Sequence, residues 1–158
     1  MSLLADTQTR LRWCSRPIQK GAVAESAITA AAIRLGVGVY RPMFEGGRYD
    51  LILEVGSRLL RVQCKWACRR GEVVVVRCYS CRRGRDGMIA RKYTHHEVDA
   101  IAAYCPEIDG CYLLPTSLSC ERRMVHLRIG PSRNNQRARI NWADDFELEA
   151  RLKALLGP

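Results

Sequence analysis

The stretch from Arg48 to Trp66, RYDLILEVGSRLLRVQCKW, constrains the fold of this chain more than any other. Tyr49 to Val55 and Arg58 to Trp66 each alternate apolar with polar side chains, the period of half-buried strands. Between them, Gly56-Ser57 suits a two-residue type II′ hairpin turn, which places glycine first. Such a turn sets the register. Val55 faces Arg58, Leu53 faces Leu60, and Asp50 falls directly opposite Gln63. Directly paired residues share a face, with Cβ atoms about 5 Å apart. Leu51, Leu53, Val55, Leu60, Val62, Cys64 and Trp66 therefore form one apolar face. Asp50, Gln63 and Lys65 gather at one end of the other. A carboxylate, a carboxamide and an ammonium on one rigid hairpin make a candidate active site.

The rest of the chain bounds what that hairpin can serve. Its 158 residues, 47% of them hydrophobic, suffice for one domain with a sizeable core. No apolar run reaches the length of a membrane span, so no membrane partner is expected. The N-terminal MSLLADTQTRLRWCSR lacks the pattern of a signal peptide, and the expected compartment is the cytoplasm. The net charge is +10, from 26 Lys+Arg against 16 Asp+Glu. That excess favours a polyanion, with double-stranded DNA first and a nucleoid association as its corollary. In a reducing compartment the 8 cysteines read as small buried residues or metal ligands rather than disulfides.

Residues 1–19 read as a basic leader, and 20–158 as one domain. An Ala-rich helix is expected from Lys20 to Leu35, with Ala24, Ile28, Ala31 and Leu35 as its apolar stripe, Glu25 beside it and Gly36 as its stop. Val37 to Pro42 reads as a strand, Ala67 to Glu72 as a basic turn, and Val73 to Tyr79 as a β-branched strand. Cys81 to Gly87 reads as an exposed basic loop. Thr94 with Glu97 fits a capping box and predicts a helix to about Tyr104, before Pro106. Cys111 to Pro115 and Met124 to Ile129 are expected strands, Gly130 to Arg139 a polar loop, and Ala143 to Leu155 a closing helix. The order, helix then strands, helix, strands and helix, gives an α/β or α+β domain with a central mixed sheet flanked by helices.

The hairpin cluster has two readings. Asp50 supplies charge for Mg²⁺, Gln63 a neutral oxygen, and Lys65 a group that positions water or offsets phosphate charge. Alternatively, Asp50 and Lys65 are an ordinary cross-strand ion pair. Glu54 shares the face but lies near the turn, and reads as a solvated charge. Cys68, Cys78 and Cys81 with His95 or His96 offer a rival structural Zn²⁺ site, though Cys64 and Cys78 fall within strands. His95 and His96 otherwise read as first-turn helix residues. Arg69, Arg70, Arg82, Arg83, Arg85, Arg91 and Lys92 are candidates for a phosphate-contacting rim, with Arg133, Arg137 and Arg139 as a second one. Tyr79 and Tyr93 interleave with this charge.

The series Glu25, then Tyr49-Asp50, then Gln63-Cys64-Lys65, on helix, strand and strand, resembles the PD-(D/E)XK nuclease superfamily. It is most similar to the group I intron-associated homing endonuclease branch, in which Gln replaces the second acid. The resemblance extends through Tyr93 to Asp99, Tyr112 to Pro115, Asn134-Asn135-Gln136 and Ile140 to Ala143, and covers about Lys20 to Phe146. It implies a restriction-endonuclease-like core. Asp50 and Glu25 would be metal-binding acids, Gln63 the variant third position and metal ligand, and Lys65 the catalytic lysine. It also implies hydrolysis of DNA phosphodiesters with Mg²⁺, for which Mn²⁺ would substitute, by a homodimer or homotetramer. Arg48-Tyr49-Asp50 lacks the Pro of the family motif, and Gln63 removes a charge from the metal site. The alternatives are a non-catalytic DNA-binding protein on the same scaffold, or a zinc-stabilised nucleic-acid module.

Overall fold

The computed structural model describes residues 16–131 and 138–157. Helix α1 (Pro17–Arg34) is followed by β1 (Gly38–Tyr40), β2 (Leu51–Val55) and β3 (Arg58–Trp66). Then come β4 (Cys68–Arg70), β5 (Val73–Arg77), β6 (Tyr79–Gly84) and β7 (Gly87–Lys92). The chain continues with β8 (Ala100–Cys105), β9 (Gly110–Pro115), the short helix α2 (Thr116–Ser119) and β10 (Met124–Arg128). A 3₁₀ turn (Ala143–Phe146) leads into α3 (Leu148–Leu156).

The main sheet has five strands in the order β1-β2-β3-β8-β9. Only β3 and β8 run parallel; the other neighbours are antiparallel. A second sheet, β10-β5-β4, and a two-stranded ribbon, β6-β7, complete the molecule. One core lies between the main sheet and the helices. It joins Ile28, Ala32, Leu148 and Leu152 to Leu51, Leu53, Val62, Ala100 and Ala102. A second core lies between the main and second sheets, joining Ile101, Ala103 and Leu114 to Val74, Val76, Val125 and Leu127. This is a mixed α+β architecture with a restriction-endonuclease-like layout.

The β2–β3 turn forms as its sequence predicts. Gly56 has φ +62°, Ser57 stays at negative φ, and the pairs Val55–Arg58 and Leu53–Leu60 are in register. The expectation that β3 is half-buried is corrected. Its polar face is covered by the second sheet, and Gln63 is only 9% exposed. Alternation within one strand cannot show what a second layer will cover.

Six local expectations change. The helix α1 starts at Pro17, inside the supposed leader, with proline in its first turn, where the missing N–H costs nothing. No helix runs from Thr94 to Tyr104. Half of the capping box forms, with Glu97 accepting the Thr94 N–H at 3.2 Å, and a single turn closes from Val98 N–H to the Thr94 carbonyl. The chain then becomes β8, buried on both faces, where a continuous apolar run is the mark of a central parallel strand. Alanine favours helix by propensity, but here its small side chain lets two layers approach one strand. The basic turn at Ala67–Glu72 contains β4, and the strand expected from Val73 to Tyr79 breaks at Cys78. Past that break the supposed loop Cys81–Gly87 is the outer part of the ribbon, with Gly84 paired to Gly87 around Arg85-Asp86. Finally, the closing helix is interrupted at Glu147, whose backbone bridges to Tyr112.

Candidate active site

The register of the catalytic hairpin holds to Leu51–Val62 and then departs. Asp50 N–H also donates to the Val62 carbonyl, at 2.9 Å. Two residues thus oppose one, a β-bulge, and bulges re-aim side chains beside active sites. Here the bulge turns the Asp50 carboxylate into the ladder. Its Oδ2 accepts the Cys64 N–H at 2.9 Å and the Gln63 side-chain amide at 2.5 Å. The predicted neighbours therefore meet, through a bulge rather than a regular pair.

Asp50 and Glu25 line one cleft of about 260 Å³, walled by Arg41, Glu45, Tyr49 and the turn at Gly46-Gly47. Glu25 extends from α1 and is ion-paired with Arg41, which reaches back from the end of β1. Burial raises the Asp50 pKa above its ordinary range, outweighing the Cys64 N–H, Lys65 and Arg41. Burial also raises that of Glu25, and the charge of Asp50 adds to it, against the opposing pull of Arg41. Two acids that each resist ionisation, and repel one another, make a site that gains from a cation.

Lys65 does not line this cleft. Its ammonium donates to the Tyr79 carbonyl at 3.1 Å and lies 4.8 Å from the centre of the Tyr93 ring. No salt bridge joins it to Asp50, so the ordinary ion-pair reading does not hold. Burial lowers its pKa, although the charge of Asp50 opposes that shift. Tyr93 also carries Arg48, whose guanidinium carbon is 4.2 Å from the ring centre. Burial pushes the Tyr93 phenol up to about 12, so the ring stays neutral beneath the two cations.

The donors suit a hard divalent ion. Asp50, Glu25, the Cys64 carbonyl and the Gln63 carboxamide oxygen are all oxygen ligands of the kind Mg²⁺ takes. The Gln63 NH₂ lies between Asp50 Oδ2 and the Cys64 carbonyl, the latter at 3.3 Å. The positive end of an amide thus already sits against two of the oxygens that would hold a cation. Turning the carboxamide over would replace that donor with a third oxygen.

The zinc grouping does not form. Cys64 is buried in the helix-side core, Cys78 in the other core, and Cys81 is exposed on the ribbon. Among the described residues no three of His, Cys, Asp and Glu gather as a metal site. His95 and His96 stack on each other, exposed, away from the cleft. Of the basic residues, Arg69 is paired with Glu72 at 3.2 Å and Arg91 with Glu97. Arg70 is exposed on β4. Arg82, Arg83, Arg85 and Lys92 are exposed on the ribbon. Arg133, Arg137 and the Asn134-Asn135-Gln136 run lie outside the described residues.

Sequence reasoning missed Arg41 and Arg48. Arg41 follows a three-residue strand and has no spacing signal. Arg48 donates to Ser80 Oγ at 2.8 Å and to the Lys92 carbonyl at 2.6 Å. Its Nε lies 3.1 Å from Glu97 Oε1, an ion pair too oblique for a hydrogen bond. Burial raises Glu97, but Arg48, the Thr94 N–H and Arg91 together hold it below the usual range. The contacts of Arg41 with Glu25 and of Arg48 with Ser80, Lys92 and Glu97 are long-range, and no local pattern announces them.

Comparison with known proteins agrees with this geometry. No curated protein matches the chain. A solved structure of a bacterial homing endonuclease, I-Ssp6803I, shares the fold with a TM-score of 0.71 at 23% identity, over 87% of this chain and 93% of that one. The model of the PD-(D/E)XK endonuclease family matches residues 16–149, from the start of α1 into α3. With that match spanning most of its length, the chain belongs to the PD-(D/E)XK endonuclease family.

Proposed function

We propose that this protein is a divalent-metal-dependent DNA endonuclease of the homing type, with Mg²⁺ as its metal and Mn²⁺ as a working substitute. The observation that carries this reading is the bulged Asp50, which shares a cleft with Glu25 and is held by Gln63, two residues before a buried lysine. A bound divalent cation would polarise the scissile phosphate and lower the pKa of a water. The protein supplies the rest. Asp50 and Glu25 hold the cation, and its charge relieves their mutual repulsion. Gln63 contributes an oxygen once its carboxamide turns. Lys65, whose burial weakens its hold on a proton, would orient the attacking water and exchange a proton with it once it leaves the Tyr79 carbonyl and turns toward the cleft.

The test is Lys65→Ala on purified protein. Cleavage of a DNA containing its site should fall by about 10²–10⁴-fold, while affinity for that DNA stays within about threefold. Full nicking activity in Lys65→Ala would sink the assignment. Cutting both strands with one site per chain calls for at least a homodimer, and the homing reading extends this to a homotetramer. Sedimentation of the protein on DNA measures that directly.

A second reading keeps the scaffold and drops the chemistry. It is favoured by Gln63, whose neutral amide caps Asp50 where a further acid would add charge. Incubation with plasmid in Mg²⁺ or Mn²⁺, with and without EDTA, separates the two.

A further inference from the structure

The β6–β7 ribbon is unlike anything else in the fold. It pairs with neither sheet, and from Cys81 to Lys92 all but one of its residues, Gly84, are exposed. Its register divides the cations between two faces. Arg82 and Arg91 lie on one, with Ile89; Arg83 and Lys92 lie on the other, with Met88. Arg85 stands at the tip. A strand pair that packs on its own protein has one apolar face, whereas here each face carries two cations. Cations on both faces and the tip suit an element walled by phosphates on either side.

The dimensions agree. Two strands lie about 4.8 Å apart, and six residues extend about 20 Å. A major groove, about 12 Å wide, admits a two-stranded ribbon. Arginine reads guanine there, and apolar side chains such as Met88 and Ile89 meet thymine methyls.

The root of the ribbon is fastened to the catalytic hairpin on both strands. Lys65 holds the Tyr79 carbonyl at 3.1 Å, and Arg48 holds Ser80 Oγ on β6 and the Lys92 carbonyl on β7. The ribbon is thus aimed relative to the cleft by the lysine of the motif itself.

We infer that the β6–β7 ribbon enters the major groove of duplex DNA and is the element by which this protein selects where it binds. The inference deepens the proposed nuclease reading by naming its recognition element, and its test needs no cleavage.

Cys81 is a native reporter, an exposed thiol midway along β6. The unmodified protein is alkylated with a maleimide in EDTA at low salt, with and without a random-sequence duplex of about 30 base pairs, and labelling is read by peptide mass. DNA should slow labelling of Cys81 at least about tenfold. Unchanged labelling, or no binding of the duplex at low salt, overturns the inference. The triple variant Arg82→Ala/Arg83→Ala/Arg85→Ala should bind at least about tenfold more weakly, with the salt slope reduced by about 2–3. The control Arg151→Ala/Lys153→Ala, which removes two cations from α3, should change little. A triple variant that binds no worse than the control, or that changes only the oligomeric mass and so marks a contact between copies, also overturns it. If the wild type protects Cys81 but never cuts DNA, the nuclease reading fails and the ribbon stands. If it cuts normally with the ribbon cations removed, the reverse holds.

Discussion

Two hairpins of this molecule share one plan and opposite surroundings. β2–β3 and β6–β7 are both antiparallel pairs joined by two-residue turns. The first is covered by helices along one face and by the second sheet at the Gln63–Lys65 end of the other, with Glu54 and Leu59 exposed near its turn. The second is covered on neither. The same backbone therefore gives charge two different meanings. In β2–β3 burial raises the Asp50 pKa and lowers that of Lys65, shifts of the kind that cluster at functional sites. On β6–β7 Arg82, Arg83 and Arg85 stand exposed to solvent, available to a polyanion. A hairpin is a carrier, and the layer placed over it decides its use.

That contrast can be broken first by truncation. Leu53→Ala, in a fully buried side chain, should cost about 2–5 kcal/mol in urea unfolding, against less than about 0.5 kcal/mol for Ile89→Ala on the ribbon. Equal costs would mean that the ribbon is packed in solution. Arg48→Ala cuts the link between the two hairpins. It should cost about 1–3 kcal/mol and raise amide exchange in β6 and β7, with β2 and β3 unchanged. Uniform exchange across both would show that the tie does not hold the ribbon.

The smallest effect sharpens the electrostatic side. Asp50 has a folded pKa above its ordinary 3.8, so the folded state binds the extra proton. Its cost to stability is absent below pH 3.8, grows as pH rises through the shifted value, and is complete above it. Asp50→Asn should therefore raise stability at neutral pH by about 1 kcal/mol, roughly 2–4 °C, while abolishing cleavage. Its melting temperature should also fall less between acid and neutral pH than that of the wild type. A lower melting temperature at pH 7 would show that the Cys64 and Gln63 hydrogen bonds outweigh burial.

The sequence carried much of this, unevenly. The turn at Gly56-Ser57 and the alternation around it made the hairpin register and the Asp50–Gln63 meeting legible, because both are local. Glu25 was legible through the family resemblance and its place beside the α1 stripe. The bulge at Asp50 was not, since an extra residue in one strand leaves no mark on composition. The helix expected at Thr94–Tyr104 failed because a capping-box pattern and an alanine run both favour helix, while burial between two layers decided otherwise. The ribbon was hidden because a pair with cations on both faces has no apolar alternation to read. The clamp of Arg48 and Tyr93 was beyond reach, being built from segments more than 30 residues apart.

The parallel pairing of β3 with β8 has a consequence for how such proteins diversify. The chain leaves the main sheet after Trp66 and re-enters it at Ala100, so the second sheet's first strands and the whole ribbon are a detour between two adjacent strands. Doubling the length of a flexible detour costs only about 0.6 kcal/mol in closure entropy. Residues can be gained, lost or exchanged at the tip around Arg85 while the strands on either side keep their places. If the ribbon has the recognition role inferred above, a lineage with this layout would retarget by editing one insertion and keep the site between β2 and β3 unchanged.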